Sequence, residues 1–100
     1  MTVLYNKPHD SKHFQEYYFA THAPLTKRIA GLRSFVVSDG AVAGPDGSPA
    51  QHELIAQMTF DSQEHLQQAF ASPEGKAAAD DLKNFATGGV TIVVFETREI

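Results

Sequence analysis

The sequence predicts an α+β domain of the ferredoxin-like βαββαβ type: one antiparallel sheet with its helices on a single face. Three observations carry that expectation. Four short segments rich in β-branched and aromatic residues are interleaved with two longer segments of helical period, in the order β-α-β-β-α-β. Capping residues, prolines and glycines fence the helical segments. Two helical layers can shield only one face of such a sheet, so the other face, apolar in several strands, is left for a partner.

Thr2–Asn6 (T-V-L-Y-N) is β-branched and aromatic and stops before Lys7-Pro8, as a first strand would. Asp10 or Ser11 can accept backbone N–H bonds at the start of a helix that runs to Thr21 or His22. Phe14, Tyr18, His22, Leu25 and Ile29 recur at helical spacing and form one apolar stripe with a histidine at its centre. Pro24 disfavours helical geometry at Ala23, so a kink or break belongs there. A short turn from Leu25 to Ala30 then ends at Gly31.

Leu32–Ser38 reads as the second strand, and Asp39–Gln51, with three Gly and two Pro, as a long connection. Glu53–Phe60 alternates, with Leu54, Ala56, Met58 and Phe60 on one side and the mixed set Glu53, Ile55, Gln57 and Thr59 on the other. Asp61-Ser-Gln-Glu64 is a capping-box pattern with aspartate as the cap. It opens a helix bearing Leu66, Ala69 and Phe70. Ser72-Pro73-Glu74 starts a second helical stretch bearing Ala78, Leu82 and Phe85, which Gly88-Gly89 ends. Val90–Thr97 is the fourth strand, apolar on both faces, so both should be covered.

At 100 residues the chain is one domain, spanning 1–100, of a size often helped by self-association. Two such sheets packed face to face would make a homodimer around a central cavity. A net charge of −4 with no basic cluster argues against nucleic acid and anionic membranes as partners. The absence of cysteine removes disulfides and thiolate chemistry and fits a reducing cytoplasm. Met1–Pro8 lacks the basic and apolar regions of a signal peptide, and no apolar run approaches the ~20 residues that span a bilayer. The expected location is cytoplasmic.

With V-L-Y-N-K-P at 3–8, F-x-x-Y-Y-x-x-x-H-x-P-L from Phe14 to Leu25, Gly31-Leu32, M-x-F-D-S at 58–62 and V-V-F-E at 93–96, the chain resembles the EthD family, named for ethyl tert-butyl ether degradation. The similarity covers nearly the whole chain, and H-x-P-L is its specific part. The resemblance implies a small homodimeric α+β barrel, a fold shared with muconolactone isomerases, polyketide cyclases and small monooxygenases. It also implies a link to an ether-degradation system built on a cytochrome P450. It defines no reaction step.

His22 is the candidate catalytic residue. Imidazole titrates near neutrality and suits a general acid or base at the lip of a cavity. The competing reading is a structural histidine bonding a backbone carbonyl where the helix breaks. Tyr5, Tyr17 and Tyr18 are candidate substrate-binding residues, phenols able to orient an oxygenated ligand, with core packing as the alternative. Tyr18 shares the His22 face at i, i+4. Tyr5 would line the cavity if the Val3/Tyr5 face turns away from the helices. His9 and His13 flank a helix start, His65 lies in a polar helix turn and His52 begins a strand. With no His-x-His, no H-E-x-x-H and no cysteine, no metal site is expected. Asp80-Asp81, Glu53 and Glu96 read as helix surface and strand ends. No glycine pattern suggests a nucleotide, so no cofactor is expected.

Three functions fit these residues. The first is a cofactor-free acid/base enzyme (isomerase, cyclase or dehydratase) acting on a hydrophobic small molecule through His22. The second is a non-catalytic accessory or ligand-binding protein of a degradation pathway. The third is a cofactor-independent monooxygenase.

Overall fold

A computed structural model describes all residues, 1–100. The elements are β1 (Thr2–Asn6), α1 (Ser11–Tyr17), a π-helical turn (Tyr18–His22), α2 (Ala23–Lys27), β2 (Ser34–Val37), β3 (His52–Thr59), α3 (Gln63–Ala71), α4 (Pro73–Asp81), a 3₁₀ turn (Leu82–Asn84) and β4 (Val90–Val93). The strands form one antiparallel sheet in the order β2-β3-β1-β4, which is the ferredoxin-like arrangement. No helix is long and apolar enough to cross a membrane.

Register fixes which side chains share a face. Val3 lies opposite Ala56 and Ile92, Tyr5 opposite Leu54 and Val90, and Phe35 opposite Met58. These residues face the helices, and Val3, Tyr5, Leu54, Ala56 and Met58 are buried there with Phe14, Tyr18 and Phe85. The opposite face carries Thr2, Leu4, Val36, Ile55, Gln57, Thr91 and Val93, and no helix covers it. Val36 and Val93 are about half exposed, at 57% and 43%.

Helix starts follow the sequence with one exception. Asp10 caps α1 by accepting from the His13 N–H at 3.1 Å, and Ser72 caps α4 by accepting from Gly75 at 3.2 Å. At α3 the cap is Ser62, which accepts from the His65 N–H, and not Asp61. The Asp61 carboxylate is taken by a bidentate pair with Arg33 at 2.8 and 2.7 Å, which ties β2 to the start of α3.

The expected break at Pro24 does not occur. Ala23 keeps helical angles (φ −60°, ψ −44°), and its N–H donates to the Tyr18 carbonyl five residues back. A wide turn thus replaces the break and delivers Pro24 into the first turn of α2, where a missing N–H costs little. The turn also sets the phase. Phe14, Tyr18, His22 and Thr26 are all buried, each four residues after the last. In a regular α-helix each such step drifts about 40° around the axis, and the π turn absorbs that drift. Thr26 therefore takes the inward place expected for Leu25.

β4 ends at Val93, short of the expected Thr97. Val93 lies opposite Thr2, the first residue of β1, so residues 94–97 have no strand to pair with. Val94 and Phe95 are about half exposed, and the cover expected over both faces of this strand is absent from the single chain.

Gly88 closes the connection from the 3₁₀ turn back to β4. A Cβ there would run into the Lys7 carbonyl and the Asn6 backbone. Gly88→Ala should therefore cost about 1–3 kcal/mol, the usual range for overpacking, read as a lower urea midpoint. A wild-type midpoint would contradict that close approach.

Candidate functional site

Four side chains meet where helical elements end. Tyr17 closes α1, His22 closes the π turn, Asp81 closes α4, and Asn84 closes the 3₁₀ turn. The Asp81 carboxylate is their hub. Its Oδ1 accepts from the Tyr17 hydroxyl at 2.6 Å and from Asn84 Nδ2 at 2.9 Å, and its Oδ2 lies 3.0 Å from His22 Nδ1. His22 and Asp81 are both buried, at 5% and 7% exposure. A buried carboxylate normally needs this degree of pairing.

The electrostatics fix the protons. Burial pushes the Asp81 carboxyl up, but hydrogen bonds from Tyr17, Asn84 and His22 outweigh it and hold the group below its ordinary value. Burial likewise lowers His22, and the neighbouring carboxylate restores only part of the shift. The pair at neutral pH is therefore a carboxylate and a neutral imidazole. An ionised carboxylate can only accept, so Nδ1 carries the imidazole proton and Nε2 is left with a lone pair. No protein group hydrogen-bonds Nε2.

His22 also lines a narrow cleft of about 80 Å³ between the helices and the helix-covered face of the sheet. Its walls are mostly apolar, with Val3, Ile29, Met58 and Ile92 beside Tyr5 and Thr26, and no lysine or arginine. Ile92, on the edge strand β4, is 45% exposed and marks the mouth. A larger groove of about 540 Å³ runs between the end of β3 and residues 94–97 but holds no histidine or tyrosine.

Several sequence expectations change here. His22 does not bond a backbone carbonyl at a helix break; it bonds Asp81 within a continuous helical run. Its cleft lies between the sheet and the helices of one chain, on the side of the sheet opposite the face expected to pair with a second copy. The Val3/Tyr5 face turns toward the helices, and Tyr5 lines the cleft from that side. Tyr18 is buried in the aromatic core beside the cleft, and Tyr17 reaches Asp81 instead of the cleft.

Asp81 is not helix surface. It lies three residues after Ala78 and four before Phe85, within their apolar stripe. An acid on an apolar stripe is as telling as a histidine on one, and that pattern could have revealed it. Glu53, expected on the mixed face, is also buried, because a bulge in β3 turns it to α1, where Ser11 and Gln15 each bond it at 2.7 Å. His9, His13 and His65 are exposed. No three His, Asp or Glu side chains gather closely enough to hold a metal ion.

The site makes stability depend on pH. His22 has a folded value below the ordinary 6.5, so below 6.5 the unfolded chain takes up a proton that the fold resists. Asp81, also depressed, adds a further loss below the ordinary 3.8. Urea midpoints should therefore decline on acidification from neutrality, and His22→Gln should flatten the upper part of the decline. A midpoint that stays level below 6.5 in the wild type would contradict the assignment.

Comparison with known proteins agrees with this architecture. A Rhodococcus erythropolis protein described as an uncharacterised 11.0 kDa protein of the thcB–thcC intergenic region is 42% identical over 100 residues, covering 100% of this chain and 95% of that one. The crystal structure of an ethyl tert-butyl ether degradation (EthD) family protein from Bacillus halodurans superposes with a TM-score of 0.87 at 39% identity, covering 97% of this chain and 95% of that one. A dimeric protein of unknown function and ferredoxin-like fold from Bacteroides fragilis, 18% identical, shares the fold with a TM-score of 0.66 over 96% and 92% of the two chains. The EthD domain model matches residues 6–89, and by that match and these identities the chain belongs to the EthD family.

Proposed function

We propose that this protein is a small-molecule catabolic enzyme that moves a proton with His22, in an isomerase, cyclase or dehydratase type of reaction. The observation that carries the reading is the Asp81-oriented imidazole, whose free Nε2 belongs to a residue lining an apolar cleft. Asp81 fixes the tautomer, and Tyr17 and Asn84 hold Asp81. Nε2 can then accept a proton from a bound molecule and return it elsewhere, chemistry these residues can perform without a cofactor. The apolar walls select a hydrophobic, oxygenated, uncharged ligand.

The test is a panel of small ketones, lactones, phenols and alcohols incubated with the wild type and with His22→Gln, followed by NMR. Conversion of a panel member that vanishes in a folded His22→Gln variant supports the reading. Binding without conversion in the wild type would overturn it in favour of a ligand-holding accessory protein.

The proposal includes a homodimer formed through the uncovered sheet face. Leu4, Val36, Ile55 and Val93 on that face, together with Val94 and Phe95 beyond it, give an apolar surface that water disfavours. Sedimentation at micromolar concentration should return the mass of two chains, and Val36→Asp should shift it toward one. A single-chain mass for the wild type would refute the dimer and leave the cleft, which lies within one chain, untouched.

A further inference from the structure

Resting on the acid/base reading of His22, the geometry points to a substrate class: a neutral enolisable carbonyl compound, whose carbonyl oxygen is bound by the Tyr5 hydroxyl while His22 Nε2 removes a proton from the adjacent carbon. The cleft sets a base and a phenol into one apolar wall system and offers no third ionisable side chain. The base has no protein partner on Nε2. The phenol has one loose contact: Tyr5 and Tyr18 pack edge to face with ring centres 5.6 Å apart, and the Tyr5 hydroxyl leans toward that of Tyr18. A buried hydroxyl whose protein contact is this loose can turn and donate to a ligand oxygen.

The chemistry follows from what each group keeps. Burial pushes the Tyr5 phenol far above its ordinary value, so it stays a donor and does not ionise. A donor that holds its proton stabilises an oxygen on which negative charge develops. Phenol ionisation would need only the base, and dehydration would need an acid at the leaving hydroxyl. A base beside a permanent donor matches enolisation.

The step balances without a co-reactant. Nε2 takes the α-proton, and the C–H electron pair becomes the C=C bond of an enolate whose oxygen is held by Tyr5. The imidazolium then gives a proton, its own or one exchanged with water, to the γ-carbon, so a β,γ-unsaturated ketone becomes its α,β-unsaturated isomer. Asp81, already ionised, offsets the imidazolium formed in between. No lysine or arginine lines the walls, and the one cation there, the Met1 ammonium, already donates to the Met58 carbonyl at 3.1 Å, which favours uncharged substrates. A space of about 80 Å³ is smaller than the ~150 Å³ cavity that admits benzene, so it takes the reacting unit of a small ring or chain.

The probe is 3-cyclopenten-1-one, whose conversion to 2-cyclopenten-1-one is followed by ultraviolet absorbance, with deuterium uptake at the α-carbon followed by NMR in D₂O. The wild type should outpace an equal concentration of free imidazole, with a rate that rises with pH as His22 loses its proton and then levels. Tyr5→Phe, which keeps the ring in the core, should slow the reaction by about 100-fold, the usual loss on removing one oxyanion donor. His22→Gln should abolish it. Independently of turnover, the carbonyl stretch of bound cyclopentanone should move to lower frequency in the wild type and not in Tyr5→Phe. No acceleration over imidazole, or equal rates and equal carbonyl bands in wild type and Tyr5→Phe, would overturn the carbonyl assignment. If phenols or alcohols alone are converted in a His22-dependent way, the carbonyl assignment falls and the acid/base reading stands.

Discussion

Phe85→Ala should cost about 3–5 kcal/mol of stability, the range for emptying a large aromatic site in a packed core. Phe85 is 1% exposed, and its ring lies within 5.8 Å, centre to centre, of Tyr5, Phe14, Tyr17, Tyr18 and His22. Its neighbours come from β1, α1 and the π turn, so few can move inward without breaking another contact. The loss is a large part of the 5–15 kcal/mol that holds a typical domain together, and thermal melts at fixed protein concentration should show it as a drop of tens of degrees. Phe85→Leu should recover most of it. The imidazole of His22 packs on this ring at 4.6 Å, so its NMR titration should move toward the ordinary 6.5 in the alanine variant as water reaches it. A loss below 1 kcal/mol would mean that the ring is not a keystone.

Asp81→Asn should remove most of the activity while leaving the imidazole in place. The side chain keeps its size, and its amide oxygen can still accept from Tyr17 and Asn84. Its amide nitrogen, however, now donates to His22 Nδ1, which forces the proton onto Nε2 and turns the base in the cleft into a donor. In a serine protease the same exchange beside a histidine costs about 10⁴-fold in turnover by the same inversion of tautomer. A fall of that order is expected here, with little change in ligand affinity and a pH profile that no longer follows the His22 titration. Asp81→Glu should restore part of the rate. Asp81→Ala should in addition unfold more easily, because it leaves Tyr17, Asn84 and His22 donors unpaired at about 1–3 kcal/mol for each fully buried group. Unaltered turnover in Asp81→Asn would show that the carboxylate has no hand in positioning the imidazole.

The element order was legible because it depends on local signals. Alternation along Glu53–Phe60, the caps at Asp10 and Ser72, and the terminator Gly88-Gly89 each act over a few residues. The family resemblance on H-x-P-L agreed with them. What escaped was decided at longer range. Asp61 reads as a cap until Arg33, 28 residues away, claims its carboxylate. Residues 94–97 read as strand until β1 ends opposite Val93. The π turn escaped because Pro24 speaks against a helix locally, while the buried run from Phe14 to Thr26 holds the helix against the sheet. Of the site, His22 and Tyr5 were visible as polar groups on apolar faces. Asp81 was hidden by its neighbour, since Asp80-Asp81 looks like a surface pair and only the second of them is buried.

The π turn has a consequence for ancestry. A helix acquires such a turn when one residue is inserted into it, and loses it when one is removed. Here the surplus residue keeps His22 in line with Phe14 and Tyr18 while Phe19 stands out in water at 50% exposure. A relative with one residue fewer between Tyr18 and Pro24 would close this turn as ordinary α-helix, with its histidine three residues after the tyrosine and still turned toward the same side. Descent of this site is therefore better traced by the face a residue occupies than by a fixed count between letters.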